Sequence, residues 1–203
     1  MDLSTIEQMC FSTIRIETSD ALGNSFSGTG FFFNLNIEDK IVPLIITNKH
    51  VVLGMSKGLF ILTERNEHNE PDYKKHFPIT IDKDFEKYWI LHPDPQIDLC
   101  AMLINPIIED ADKRLNKTFF YKWFDNSLIP SIKQLDEIDV AEDVLMIGYP
   151  NGLWDSVNNM PIVRRGSMAT NISLDHNGKR EFVIDAACFP GSSGSPVWTC
   201  KLN

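Results

Sequence analysis

The strongest constraint on the fold is a succession of short apolar segments, which are separated by polar loops or by glycine and proline. In the first of them Ile14 and Ile16 alternate with Arg15 and Glu17. Successive side chains of a β-strand point to opposite faces, so this period of two predicts strands. The spacing of the segments favours an all-β barrel or sandwich over alternating βα units. Strands are predicted over residues 14–16, 31–33, 41–46, 59–63, 77–81, 88–91, 99–104, 144–149, 162–170, 181–187 and 195–199.

Two other segments differ from this pattern. The first dozen residues predict a short helix, with Ser4 as its N-cap and Glu7 three residues later as the capping-box partner. Residues 105–142 mix proline, charged clusters and aromatic residues, and part of this segment is interpreted as a connection between two halves of the chain. A turn made with Gly148, Pro150 and Gly152 follows the first strand of the second half.

Composition excludes several classes of protein. The chain has 203 residues, 43% of them hydrophobic, which is enough for one large or two small domains with a core. A formal charge of -9 argues against a partner that is a nucleic acid or an anionic membrane. The N-terminus lacks a basic segment followed by an apolar one, and no apolar run approaches the length of a membrane span. We therefore expect a soluble cytoplasmic protein without a membrane segment.

The cysteines support the same location. Cys10, Cys100, Cys188 and Cys200 have no CxxC spacing and lie mostly among apolar residues. Buried free thiols are therefore favoured over disulfides or a metal site, which fits a reducing compartment. His68, His76, His92 and His176 show no paired spacing typical of a zinc site, so neither a metal nor a cofactor is expected.

Three residues that could act together lie at the ends of predicted strands. His50 follows the strand at 41–46, Asp98 precedes the strand at 99–104, and Ser193 lies in the turn at 189–197 with its two glycines. A serine hydroxyl becomes a nucleophile when an imidazole accepts its proton and a carboxylate holds that imidazole. Taken singly, each residue also has a structural interpretation. His50 could be a histidine packed in the core, Asp98 could cap a turn, and Ser193 could belong to a polar surface turn.

These residues resemble the chymotrypsin-like serine peptidases over roughly residues 12–200. The resemblance rests on three motifs. A narrower resemblance, to bacterial intracellular peptidases of the high-temperature-requirement type, rests on Gly28-Thr29-Gly30-Phe31-Phe32 and Gly148-Tyr149-Pro150. The nucleophile elbow of another hydrolase fold is excluded, because position 195 is serine and the order is His, Asp, Ser. The three motifs are Thr47-Asn48-Lys49-His50-Val51, Ile97-Asp98-Leu99-Cys100-Ala101-Met102-Leu103 and Gly191-Ser192-Ser193-Gly194-Ser195-Pro196.

The resemblance implies two perpendicular six-stranded β-barrels with the site between them. Residues 1–104 would hold an N-terminal segment and the first barrel, 105–142 the connection, and 143–203 the second barrel. It makes His50, Asp98 and Ser193 the catalytic triad. The backbone N–H groups of Gly191 and Ser193 would form the oxyanion hole. The substrate-binding residues would be Ala187, Cys188, Phe189 and Pro190.

The sequence departs from the family in two places. Ser192 replaces the aspartate that pairs with a new N-terminus in secreted enzymes, so activation by zymogen cleavage is not expected. The family also has further strands after the serine strand, and this chain ends about where they would begin. The second barrel is therefore expected to be incomplete, with its remaining strands in a longer protein or in a partner chain, or absent from an inactive copy.

The sequence thus predicts a serine endopeptidase that cleaves a protein or peptide substrate through an acyl-enzyme. The alternative is a catalytically inactive peptide-binding or regulatory module, or a fragment of a larger multidomain protease. By the same resemblance the pocket floor lies near Ala187, and neither this residue nor Cys188 and Phe189 supplies a carboxylate. This favours a small or apolar side chain at P1, the substrate residue before the scissile bond. Asp185 is nearby, but the alternation of its strand leaves its direction open. Arg164, Arg165 and Asp155 are interpreted as surface charges.

Overall fold

The computed structural model describes residues 3–151 and 153–199, which form two β-sheets joined by a partly helical segment. Gly152 and Cys200, both named in the predictions above, lie outside the described residues. The helices are α1 Thr5–Cys10, α2 Lys49–Val52, α3 Asn105–Leu115 and α4 Ile132–Asp136, and 3-10 turns span Phe85–Tyr88 and Asn126–Leu128. The strands are β1 Thr13–Asp20, β2 Ser25–Ile37, β3 Lys40–Thr47, β4 Met55–Arg65, β5 Pro71–Ile81, β6 Trp89–Leu91, β7 Cys100–Leu103, β8 Phe124–Asp125, β9 Asp143–Gly148, β10 Ile162–Met168, β11 Ile184–Asp185 and β12 Val197–Thr199.

The first sheet has eight strands in the described residues, in the order β5-β4-β1-β2-β3-β7-β6, and β8 pairs with β2 outside this path. Its neighbours along the path are antiparallel. The pairing of β1 with β2 ends where Thr13, the first residue of β1, lies opposite Phe31, and β2 continues beyond this point. β8 takes up this edge and pairs parallel to β2 at Phe33 and Asn34.

The core of this sheet follows from the alternation seen in the sequence. Ile14 and Ile16 are buried on β1, and Ile45 is buried on β3. Each such side chain stabilises the fold by roughly 1.5–3 kcal/mol when it leaves water. The ring of Phe85 enters the same cluster and lies beside Phe60, with ring centroids 5.9 Å apart. The predicted strands of the first half are therefore present, and they enclose one apolar core.

The second sheet has four strands in the described residues, in the order β11-β10-β9-β12. Val144 and Ile147 of β9 are fully buried. The resemblance implied six strands in each barrel, but the first sheet has eight, one of which is β8 from the connecting segment, and the second has four within the described residues. The strand predicted at 181–187 is reduced to β11, since only Ile184 and Asp185 pair with β10.

The connecting segment is more helical than its composition indicated. It contains α3 and α4 in addition to β8. The predicted first helix is present as α1, with both capping-box hydrogen bonds between Ser4 and Glu7. No helix in the described ranges has the length and hydrophobicity that a membrane crossing requires.

The cysteines differ in exposure. Cys10 and Cys100 are buried and free, as the sequence predicted. Cys188 is also free but exposed, because its segment runs along the surface ahead of the serine turn, so the prediction of burial is wrong for this residue. Burial raises the pKa of Cys10 from 9.0 to about 11 and the pKa of Cys100 to about 12.

These pKa values predict alkaline destabilisation. A thiol whose pKa is higher in the folded state stabilises the fold fully below its unfolded value of 9.0, and the contribution is lost as pH rises toward 11 and 12. We expect the free energy of unfolding in urea to fall above pH 9. In a Cys200→Ser background at pH 8, iodoacetamide should label Cys188 in the native protein and Cys10 and Cys100 only in urea. Labelling of Cys100 at the same rate with and without urea would contradict this.

A second prediction concerns Gly58 on β4. A Cβ atom there would lie 2.1 Å from Cε2 of Phe85, whose side chain is fully buried. Gly58→Ala should therefore lower the free energy of unfolding by about 1–3 kcal/mol through overpacking. In a Phe85→Leu background the same substitution should cost less, because the ring that it meets is gone. Equal costs in the two backgrounds, measured by urea unfolding, would show that this contact is not the cause.

Candidate active site

His50 and Asp98 meet because β3 and β7 are antiparallel neighbours with Thr47 opposite Cys100. The end of β3 therefore lies beside the start of β7. His50 follows in the one-turn helix α2, not directly on the strand, and Asp98 lies in the loop before β7. His50 Nδ1 and Asp98 Oδ2 are 2.5 Å apart, and the backbone N–H of His50 donates to Asp98 Oδ1 at 3.1 Å.

Neighbouring side chains hold this loop in place. The side-chain amide of Asn48 donates to the backbone carbonyl of Asp98 at 2.6 Å. The ammonium group of Lys49 donates to the carbonyl of Asp94 at 2.7 Å, and Lys49 is buried. These two hydrogen bonds join the start of α2 to the loop before β7, at Asp98 and at Asp94. A carboxylate that accepts from Nδ1–H fixes the tautomer in which Nε2 can accept a proton.

The histidine and aspartate are open to solvent. The His50 side chain is 57% exposed and the Asp98 side chain 48%. Exposed ion pairs of this kind contribute little to stability. The contact between His50 and Asp98 therefore contributes little to the stability of the fold.

The serine turn needs its two glycines. Gly191 has φ +92° and Gly194 has φ +85°, in the left-handed region that other residues rarely adopt. A Cβ atom on Gly194 would lie 1.9 Å from the carbonyl oxygen of Thr29. A Cβ atom on Gly191 would lie 2.6 Å from that of Tyr149. The sequence-based expectation of a sharp turn that depends on glycine is confirmed.

The turn leaves two backbone donors free. Within residues 3–151 and 153–199, the N–H groups of Gly191 and Ser193 donate no hydrogen bond. The N–H of Ser192 between them does, to the carbonyl of Phe189 at 3.0 Å. The two free donors are those predicted for an oxyanion hole.

Thr29 of β2 connects this turn to both sheets. Its hydroxyl donates to the carbonyl of Gly191 at 2.9 Å and accepts from the N–H of Tyr149 at 2.9 Å. Its backbone N–H donates to the carbonyl of Ser193 at 2.7 Å. Its own carbonyl accepts from the Thr47 hydroxyl at 2.7 Å, and Thr29 is fully buried.

The three predicted triad residues are only partly joined. Through Thr29 and Thr47 the serine turn lies against the strand end that leads into α2. In the part of the chain that is described, however, no hydrogen bond joins Ser193 Oγ to His50. The structure thus pairs His50 with Asp98, and it fixes Ser193 through its backbone carbonyl.

The predicted substrate-binding residues are exposed: Ala187 and Cys188 precede the turn, and Phe189 and Pro190 are its first two residues. The carbonyl of Pro190 accepts from the N–H of Asn151 at 2.8 Å. The sulfur of Cys188 lies 4.0 Å from that of Met146 on β9. Ala187 and Phe189 both contact Arg164, whose side chain donates to the Ala187 carbonyl and lies 4.5 Å from the centroid of the Phe189 ring.

Sequence reasoning missed Thr29 and Arg164. Thr29 was recognised only as part of a motif, and its hydrogen bonds reach residues more than a hundred positions away. Arg164 was interpreted as a surface charge. The alternation of β10 could have indicated that Arg164 faces inward, since Arg164 shares a strand face with Ile162. Val163 and Arg165 lie on the opposite, exposed face.

Solved structures with similar folds agree with this architecture. A mutant of Tobacco Etch Virus protease superposes with a TM-score of 0.51 at 13% identity, over 98% of this chain and 67% of that chain. A protein named GrC superposes with a TM-score of 0.50 at 12% identity, over 98% of this chain and 82% of that chain. Together with the two sheets, these likenesses define the chymotrypsin-like double-barrel fold.

The family is identified by sequence. Residues 28–202 match the family described as Trypsin-like peptidase domain. Because this match spans most of the chain, the protein belongs to that family. A search of curated proteins found no match.

The position of Thr29 gives a prediction about the turn. Thr29→Val keeps the shape but removes the hydroxyl, which leaves the Tyr149 N–H and the Gly191 carbonyl without their partner. An unsatisfied buried polar group costs about 1–3 kcal/mol, so the free energy of unfolding should fall by at least this amount. Hydrogen exchange at the Tyr149 amide should also accelerate. Thr29→Ser is the matched control, and equal exchange rates in the two variants would refute the role of the hydroxyl.

Proposed function

We propose that this trypsin-like peptidase domain is a serine endopeptidase with His50, Asp98 and Ser193 as its triad. The observation that carries the proposal is the contact of 2.5 Å between His50 Nδ1 and Asp98 Oδ2. It leaves Nε2 as the acceptor for a proton. The free N–H groups of Gly191 and Ser193 supply the second element that acyl transfer requires.

The proposed reaction begins with attack of Ser193 Oγ on the carbonyl carbon of a peptide bond, as its proton moves to His50 Nε2. Asp98 stabilises the imidazolium that forms. The oxyanion lies between the N–H groups of Gly191 and Ser193, and each such donor lowers the barrier by about 2.7–4 kcal/mol. The leaving amine takes the proton from His50. Water, deprotonated by His50, then hydrolyses the ester on Ser193 and regenerates the hydroxyl.

A groove beside the turn offers space for part of a peptide. Its volume is about 370 Å³, and its lining includes Phe26, Ser27 and Asn151. A Cβ atom on Gly191 would lie 3.0 Å from the N of Asn151 and 3.1 Å from Oγ of Ser27. The groove therefore borders the serine turn, and residues on one side of a scissile bond would fit there.

One observation is expected for the second candidate, a peptide-binding module without turnover, but it does not exclude the first. Ser193 Oγ and His50 share no hydrogen bond within the described ranges. Catalytic hydrogen bonds are often long before substrate binds and shorten in the complex, so this geometry is compatible with both candidates. A chemical probe of the serine separates them.

The narrower resemblance to bacterial intracellular peptidases of the high-temperature-requirement type is part of the same proposal. It is supported by the contact between its two motifs, since Thr29 of one accepts from the Tyr149 N–H of the other. The proposed location is the cytoplasm. Free thiols at Cys10, Cys100 and Cys188 are compatible with a reducing compartment.

A fluorophosphonate probe tests the enzyme proposal. It should label the native chain at Ser193, as located by peptide mapping, since the probe requires an activated serine. Ser193→Ala should abolish labelling, and His50→Ala and Asp98→Asn should slow it by about 10³-fold or more. Ser173→Ala is the control, because Ser173 is exposed and bonds to Asp136 in a different part of the surface. An unlabelled native chain with an unchanged circular dichroism spectrum would favour the binding module.

A further inference from the structure

Arg164 lies against the predicted substrate segment with its charge unmatched. Within the described residues it forms no ion pair, and its Nε is buried without a hydrogen-bond partner. Its neighbour Arg165 differs, since it pairs with Asp143 on the exposed face of β10. A partly buried cation without a counterion is unfavourable, so a site of this kind favours a ligand that brings a carboxylate.

The guanidinium group is held in a fixed orientation. One of its nitrogens donates to the carbonyl of Ala187. Its central carbon, Cζ, lies over the Phe189 ring, 4.5 Å from the ring centroid. Stacking on an aromatic face and a hydrogen bond at the edge suit arginine, whose planar fork can still offer its remaining donors to a carboxylate. A lysine at this position would retain the charge but not the orientation.

The serine turn lies directly beside this cation. The N–H of Phe189 donates to Oγ of Ser192 at 3.4 Å, and the Phe189 carbonyl accepts from the N–H of Ser192 at 3.0 Å. Ser192 precedes Ser193 in the chain. Arg164 therefore stacks on a residue of the same turn that presents the proposed nucleophile.

We propose that Arg164 selects substrates with an acidic side chain, aspartate or glutamate, at P1. This rests on the proposed peptidase function, and it replaces the preference for a small or apolar residue that the sequence indicated. That preference was based on Ala187, Cys188 and Phe189, whereas Arg164 reaches this segment from β10 and supplies a positive charge.

Binding measurements test this selection without turnover. The Ser193→Ala chain is titrated with fluorescein-labelled peptides of the form Ala-Ala-Pro-X-Ala-Ala, amidated at the C-terminus, with Asp, Glu, Asn, Gln or Leu at X. The Asp or Glu peptide should bind at least about tenfold more tightly than its amide counterpart, since hydrogen bonds between charged groups exceed neutral ones. Arg164→Met should remove this ratio, and Arg164→Lys should retain part of it. A ratio near one, or no binding of the acidic peptides at millimolar concentration, overturns the proposal.

Two further measurements separate the possible failures. Fluorophosphonate labelling of Ser193 is measured on the native chain, where it reports the peptidase function independently of P1 selection, because the probe carries no P1 side chain. Labelling without discrimination between Asp and Asn would refute the role of Arg164 and retain the peptidase. Discrimination without labelling would refute the peptidase and retain the acidic site. A shorter peptide, Ala-Ala-Pro-Asn with a free C-terminal carboxylate, tests whether Arg164 recognises chain ends instead. If this peptide binds as tightly as the amidated Asp peptide, the P1 assignment is wrong.

Discussion

The buried hydrogen bonds of Thr29 are the constraint on which the site depends. One residue of β2 is bonded to Tyr149 at the end of β9, to Gly191 and Ser193 in the turn, and to Thr47 at the end of β3. Groups as buried as these are costly to leave unpaired, so the first sheet, the second sheet and the turn adopt one mutual arrangement. The free N–H groups of the turn take their direction from the same contacts.

The histidine and the aspartate depend on a different feature, the register of β3 against β7. A shift of the pairing by one residue would move every side chain of a strand to its other face. Burial of Ile45 and Met102 on the paired strands opposes such a shift. The position of two polar, solvent-exposed side chains is thus determined by apolar residues in the core. This explains how an open site can be precise without being stabilised by its own ion pair.

Much of this arrangement could be predicted from local pattern. The alternation at Ile14 and Ile16, the capping box at Ser4 and Glu7, and the glycine-dependent turn all express short-range physical preferences, and the structure contains them. The strand count did not follow, because pairing of β8 with β2 depends on where β1 starts and leaves an edge free. Local preference also could not show the one-turn helix that contains His50.

The missed residues have a common cause. The contacts of Thr29 with Gly191 and of Arg164 with Ala187 join residues far apart in the chain, and no spacing rule records them. Cys188 was expected to be buried, but its segment lies at the surface, where the side chains of Ala187 and Phe189 are also exposed. The sequence predicted which residues would carry the proposed chemistry, whereas their neighbours became known only from the fold.

The turn is held in a way that separates folding from chemistry. Its contacts use the carbonyl groups of Gly191 and Ser193 and the conformations of two glycines, and in the described ranges no hydrogen bond uses the Ser193 hydroxyl. Replacement of that hydroxyl would thus leave the scaffold intact. Over evolutionary time, a gene with this architecture can lose the proposed nucleophile in a single substitution and still encode a stable protein with the same surface around the turn. The proposed catalysis and the proposed recognition of a peptide are therefore exposed to selection independently.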